Sequence, residues 1–287
     1  MDVTNGTSLN ISSYSIVGPP PSSCYNISGS NEQPRPTVQV MGDGSLVDMK
    51  GEYSIVFGSN YTNMGGTAVM LSDGGRGGFF AGSLAGGNIV GDDFEEDTEG
   101  GDALVVDGVN SHAEIDGATL VGGRGYYVGN SLLVKDNATA TIFSGDFQDA
   151  IQINNGAEVE VRGGLFRKRI TVIGPGSHIK FFGCFEIIDS GLRLELIGKF
   201  DGSEIIVKIE VVTASEGIME VEGQDCGTAL TEPPSGSPTA SLPVTVEPTT
   251  AAANRGSALG RQPLIYGIRS VIIGLAVGYL FSFPQML

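Results

Sequence analysis

Short runs of alternating apolar and polar residues fill most of this chain, and three stretches superpose without a gap: 132–147, 151–166 and 170–185. Apolar residues share columns (Leu132, Ile151, Ile170; Val134, Ile153, Val172; Phe147, Phe166, Phe185), and so do Gly145, Gly164 and Gly183. The step is 19 both times (151 − 132 and 170 − 151). Period-two alternation predicts strands. A fixed short step predicts stacked units, because one unit alone cannot bury its apolar face. Each unit reads as two strands joined by a turn, with Leu132, Val134, Ala140 and Ile142 inward and Leu133, Lys135, Thr141 and Phe143 outward. Asp107-Gly108, Asp136-Asn137 and Asn154-Asn155-Gly156 fall at the turns; Asn and Asp tolerate the left-handed backbone that tight turns need.

The pattern extends beyond the triplet. Residues 38–53 align on 170–185, pairing Val38 with Ile170, Gly44-Ser45 with Gly176-Ser177, and Tyr53 with Phe185. A looser pair sets 68–87 over 103–123, and 192–212 reads as a last, drifted unit. The expected fold is therefore all-β, a parallel β-helix solenoid of about six or seven coils over residues 38–212. An antiparallel sandwich also has short strands, but nothing in it would repeat side-chain identities at a fixed step. Residues 1–37 carry Gly18-Pro-Pro-Pro21 and Pro34-Arg-Pro36, so an irregular, disordered polar leader is expected there.

The columns of strand, Asp/Asn-Gly/Asn-Ala, strand and Gly-Gly-x-Phe resemble the right-handed parallel β-helix superfamily in its pectin-lyase-like and repeat-adhesin branches. The resemblance covers roughly residues 38–212 and is one of fold, not of a single family. It implies the right-handed sense, which agrees with the rule for parallel crossovers.

Composition narrows the function classes. Net charge is −17, with 16 Lys+Arg against 33 Asp+Glu, and no basic stripe is present; such a surface repels nucleic acid. The 44 glycines follow no Gly-X-Y period, which excludes collagen. Cys24, Cys184 and Cys226 form no CxxC and no zinc-type spacing, leaving one disulfide plus a free thiol, of unassigned pairing, as one arrangement. Asn-x-Ser/Thr sequons occur at Asn5, Asn10, Asn26, Asn60 and Asn137 and point to a glycosylated extracellular face.

After the repeats the composition shifts. Residues 213–262 are expected to form a linker or stalk, because the run from Thr231 to Ala253 is rich in Pro, Thr and Ser. Residues 263–287 read as a hydrophobic membrane-anchor or GPI-signal segment, with the apolar run at 270–283. Ala253, Asn254, Gly256 and Ser257 supply the small residues of an ω-site region. Fourteen residues are short for a span, which needs roughly 20, and that favours the GPI pattern. No basic-then-apolar secretory leader is visible. A truncated start would account for this, and so would the alternative of a cytosolic, tail-anchored chain. The expected location is the cell surface.

Three clusters are candidate sites. Asp92, Asp93, Glu95, Glu96, Asp97, Glu99 and Asp102 lie in one acidic insertion. Calcium takes six to eight oxygens, so these are candidate ligands; the spacing is not that of an EF-hand, and a solvated insertion is the stronger reading. Arg167-Lys168-Arg169 decorates a turn, with Asp146, Asp149 and Asp189 as acidic companions. Enzymes on the resembled fold that act on acidic polysaccharides use a basic residue with acidic groups or calcium. No lyase, hydrolase or epimerase signature surrounds these residues, so binding of an anionic glycan is preferred and no catalytic residue is assigned. His112 and His178 are the only histidines, and nothing in the sequence brings them together. Gly74-Gly-Arg-Gly-Gly78 and Gly122-Gly-Arg-Gly125 lack the Lys-Ser/Thr of a P-loop and read as turns. The chain thus reads as a non-catalytic, membrane-anchored surface protein for adhesion or for glycan or protein binding. The alternative is a carbohydrate-active enzyme.

Overall fold

A computed structural model describes residues 1–12, 16–18, 34–60, 64–89, 98–190 and 193–223. The described residues all belong to one compact unit within 1–233, and residues 234–287 lie outside the described residues. Among the described residues the protein is all-β, with no helix. Its strands are β1 (Asp2–Val3), β2 (Ser8–Ile11), β3 (Ile16–Val17), β4 (Val38–Met41), β5 (Leu46–Met49), β6 (Ile55–Phe57), β7 (Val69–Ser72), β8 (Arg76–Phe79), β9 (Ser83–Ala85), β10 (Leu104–Asp107) and β11 (His112–Val121). They continue as β12 (Leu132–Lys135), β13 (Thr139–Phe147), β14 (Ile151–Asn154), β15 (Glu158–Val161), β16 (Leu165–Phe166), β17 (Ile170–Ile173), β18 (His178–Asp189), β19 (Arg193–Phe200), β20 (Val207–Ala214) and β21 (Ile218–Glu222).

Pairing is mostly parallel and runs in ladders. One ladder passes through β1, β4, β7, β10, β12, β14, β17 and β20. Its inward column is Val38, Val69, Leu104, Leu132, Ile151, Ile170 and Val211, each the Cα partner of the next. The gapless overlay of Leu132, Ile151 and Ile170 is therefore a true register. A second ladder joins β2, β5, β8, β11, β13, β15, β18 and β21. Shorter parallel pairings link β3, β6, β9 and the distal parts of β11 and β13 to β16. The residues expected inward are buried (Leu132, Val134, Ala140 and Ile142 at 0–2 % exposure), whereas Phe143 is 42 % exposed.

The structure departs from the expectations in several places. Residues 1–37 are not irregular throughout, because β1, β2 and β3 extend the ladders at the N-terminal end. These strands have two to four residues, too few to show a period. Residues 192–212 are not a drifted unit: β19 pairs antiparallel with both β18 and β20, making a three-stranded meander. The last unit is instead the end of β20 with β21, so strand structure runs past 212 into the segment expected to be linker. From β4 to β20 the first ladder holds seven strands, in keeping with the six or seven units expected over 38–212, and β1 adds an eighth before them. Finally, the overlay of 151–166 on 170–185 slips by one within β18, where Val159 pairs with Ile179 and not with His178. The Gly174–Ser177 turn has one residue more than its predecessor, and Phe181 lies one residue nearer Phe185 than Val161 does to Phe166, which restores the count.

The turn after the first-ladder strands comes in two lengths, and each handles its polar groups differently. In the short form the first two residues are left-handed, as at Asp136 (φ 57°) and Asn137 (φ 64°). That explains the Asn/Asp/Gly signature, since these types bear the strain best. In the long form a buried serine closes the turn. Ser45, Ser111 and Ser177 donate through Oγ to the Met41, Asp107 and Ile173 carbonyls, each at 2.7 Å. The same oxygens accept from the Gly6, Gly74 and Gly156 amides of the neighbouring short turns at 3.1–3.2 Å. Each serine thus satisfies a backbone donor that would otherwise be stranded between two unequal turns.

Along one side of the stack glycine backbones bond directly to one another. Gly66 donates to Ser59 O, Gly87 to Gly66 O, Gly101 to Gly87 O, Gly123 to Gly101 O and Gly129 to Gly123 O, at 2.7–3.0 Å. None of these glycines has a left-handed φ, so conformational freedom does not explain them. Proximity does: a Cβ on Gly87 would lie 1.9 Å from Ser59 O, one on Gly101 2.1 Å from Gly66 O, and one on Gly122 1.8 Å from Gly129 O. The Gly122-Gly-Arg-Gly125 run is thus part of a close-packed glycine wall, and the surplus of glycine divides between this wall and the left-handed turns.

Candidate functional site

A cleft of about 580 Å³ opens at the corner between the shorter pairings that end in β16 and the first ladder, beside the meander. That volume lies within the range of small-ligand sites, roughly 300–1,000 Å³. The turn from β16 to β17 places Arg167, Lys168 and Arg169 on its rim, β19 adds Arg193, and β20 adds Lys208 and Glu210. Asp149, Phe166 and Val128 also line it. Five of the chain's 16 basic residues converge here against two carboxylates, although the chain as a whole carries −17. The meander is what the sequence did not show, and it delivers Arg193 and Lys208 from some 25 to 40 residues downstream of the basic turn.

Pairing divides these cations. Arg167 grips Asp146 in a two-pronged ion pair, Nε to Oδ1 and a terminal nitrogen to Oδ2, both 2.9 Å. Asp146 raises the guanidinium's already high pKa further, so Arg167 holds its proton and is unsuited to act as a base. Arg193 lies 3.5 Å from Glu210, and Lys208 lies 2.6 Å from Glu195. Lys168 and Arg169 are exposed and have no ion-pair partner among the described residues. Asp149 is engaged structurally: Oδ2 accepts the Gly122 amide at 3.0 Å, and its own amide donates to Ser131 Oγ at 2.8 Å. Asp189 sits at the end of β18 and does not line the cleft. The structure therefore gathers Asp146, Asp149 and the basic turn, and leaves Asp189 out.

The acidic insertion is only partly described. Asp92, Asp93, Glu95, Glu96 and Asp97 lie outside the described residues, while Glu99 and Asp102 lie within them. Among the described residues no three His, Cys, Asp or Glu side chains come together as a metal site. Asp102 Oδ1 accepts from the Asn130 amide (2.6 Å) and from Asn130 Nδ2 (2.9 Å). Burial nevertheless pushes its pKa up from 3.8 to about 6, with Glu99 adding to the rise and the Asn130 bonds opposing it. The folded state thus keeps a proton that the unfolded chain releases. That contribution to stability is complete below pH 3.8 and is lost as pH rises through about 6. Asp102→Asn keeps the acceptor and removes the charge. It is expected to raise stability at pH 7.5 by on the order of 2 kcal/mol, and to flatten the decline between pH 4 and 6 in urea titrations.

The histidines do not meet. His112 and His178 share one column of the second ladder, separated by Thr139 and Glu158, about 14 Å at ordinary strand spacing. His112 Nδ1 contacts Thr139 Oγ1 at 2.8 Å. Asn5, Asn10, Asn60 and Asn137 are all exposed, as a sugar acceptor must be, and Asn26 lies outside the described residues. Cys184 is disulfide-bonded; Cys24 and Cys226 lie outside the described residues. Ala253, Asn254, Gly256, Ser257 and the apolar tail also lie outside them, and no described helix is long and apolar enough to cross a membrane. Compared with family models, with curated proteins and with solved structures, the chain finds no match in any of the three.

Proposed function

We propose that the protein is a non-catalytic surface protein in which a right-handed parallel β-helix presents a basic cleft for an anionic glycan. The in-register ladders support the solenoid reading, since each turn returns the chain one strand spacing along the stack. The right-handed sense rests on the rule for parallel crossovers. Membrane attachment through residues 263–287, by a GPI anchor or a tail, rests on the apolar run and the Pro/Thr/Ser stalk before it. Release of the protein from intact cells by a phosphatidylinositol-specific phospholipase is the outcome that supports the GPI form.

The observation that carries the binding reading is the convergence of Arg167, Lys168, Arg169, Arg193 and Lys208 on one cleft of an acidic chain. Lys168 and Arg169 are the cations left to meet a ligand's charges, with Phe166 and Val128 offering apolar surface beside them. Against catalysis stand an arginine held protonated by Asp146 and an Asp149 already occupied by Gly122. The test is binding of the purified protein to immobilised polygalacturonate, with neutral dextran as control. The Lys168→Glu/Arg169→Glu variant is expected to bind at least about tenfold more weakly, with unchanged thermal stability, since both side chains are exposed. Shortening of the polymer that vanishes with Arg167→Ala would replace this reading by the carbohydrate-active enzyme.

A further inference from the structure

The two ladders end differently at their C-terminal side. In the first, β19 covers the outer edge of β20, pairing Arg193 with Val212 and Leu194 with Val211. In the second, β21 pairs only with β18 among the described residues. The Ile218 amide donates to Ser177 O at 2.9 Å. Alternation along a parallel strand then turns the Met219 and Val221 amides and carbonyls toward the open edge. These inward residues are also incompletely covered. Their column-mates Ile179 and Phe181 are fully buried, whereas Met219 and Val221 are only partly so. Among the described residues, both the hydrogen-bond ladder and the core stop one strand short.

We propose that the edge of β21 is a docking site for an extended peptide strand of a partner protein, in which apolar residues alternate with lysine or arginine. Apolar residues at every second position would close over Met219 and Val221. The basic residues follow from the outward column, where charge already alternates from strand to strand: Glu160, Lys180, Glu220 are successive register partners. Glu220 and Glu222 are 55 % and 61 % exposed; Glu220 lies 3.4 Å from His178 and Glu222 pairs with Lys180 on the β18 side, and β21 pairs with no described strand on its other side. A second copy of this chain is the poorer occupant. Stacking it would have to continue both ladders, and β19 blocks the first. Strand addition takes its affinity from main-chain bonds and its specificity from alternate side chains.

The full chain is titrated with a seven-residue peptide alternating valine and lysine, with a copy N-methylated on alternate amides, and with a valine–glutamate counterpart. The expected result is binding of the first peptide alone. Amide exchange at Met219 and Val221 is expected to be fast in the free protein and slowed in the complex. Glu220→Lys/Glu222→Lys is expected to weaken binding at least about tenfold and to bring the valine–glutamate peptide into play; its melting temperature reports that the fold is intact. Binding that survives N-methylation, no binding of the valine–lysine peptide, or exchange at Met219 and Val221 already slow without peptide would each overturn the proposal.

Discussion

Gly87→Ala and Gly101→Ala are each expected to lower the unfolding free energy by at least about 3 kcal/mol, the upper part of the range for overpacking. The new methyl carbon would sit 1.9 Å from Ser59 O in the first case and 2.1 Å from Gly66 O in the second. Both oxygens belong to backbone that is itself hydrogen-bonded, Ser59 O to the Gly66 amide and Gly66 O to the Gly87 amide. Relief of the clash therefore breaks bonds rather than turning a rotamer. Gly6→Ala is the control. Its Cβ meets nothing within 4 Å, but its φ is +73°, so the cost is the left-handed penalty of about 1–2 kcal/mol. Urea midpoints compare the three variants. A loss at Gly87 no larger than that at Gly6 would show that the backbone gives way to the methyl group and that close packing does not set the requirement.

Phe200→Ala is expected to cost about 3–5 kcal/mol, the usual penalty for emptying a buried phenylalanine site. Phe200 is 4 % exposed and joins two parts of an aromatic chain. Phe147 stacks on Phe166 at 5.2 Å, Phe166 lies 6.4 Å from Phe200, Phe200 meets Phe185 edge-on at 5.2 Å, and Phe185 meets Phe181 at 6.1 Å. Removing the middle ring loosens the meander as well as the stack. Arg193 and Lys208 ride on that meander, so the cleft should lose affinity for polygalacturonate along with the stability. Phe143→Ala, at a ring already 42 % exposed, should cost under about 1 kcal/mol. Thermal melts and the binding assay on the same variants check both parts.

Phe200 also shows where reading the sequence stopped. The column Phe147, Phe166, Phe185 was legible from the repeat, and its first two rings do stack. The third does not sit on the second, because Phe200 enters from outside the repeat and carries no periodic signal. The first-ladder register was readable because burial fixes a two-residue period; the slip at His178 was not, because a longer turn and a shorter strand segment cancel in the count. Alternation between apolar and polar residues marks walls made of side chains. It is silent about a wall made of glycine, whose only signature is a surplus that turns also explain. The same limit held at the site. Arg167-Lys168-Arg169 was visible as a local cluster, whereas Arg193 and Lys208 join it through antiparallel pairing that no spacing encodes.

The glycine wall restricts how this protein can change. Every missense substitution at Gly87, Gly101 or Gly123 adds at least a Cβ, and at each of these positions a Cβ lands within 2.1 Å of a carbonyl oxygen. No single-residue step at these glycines leads to a new surface, because none of them has a side chain to exchange. Divergence is confined to the faces that do carry them: the outward columns of the two ladders, the turns, and the corner with the basic cleft. Two descendants of this chain could differ completely in what they bind and still share the same row of glycines, which makes that row, rather than any binding residue, the mark by which distant kin should be sought.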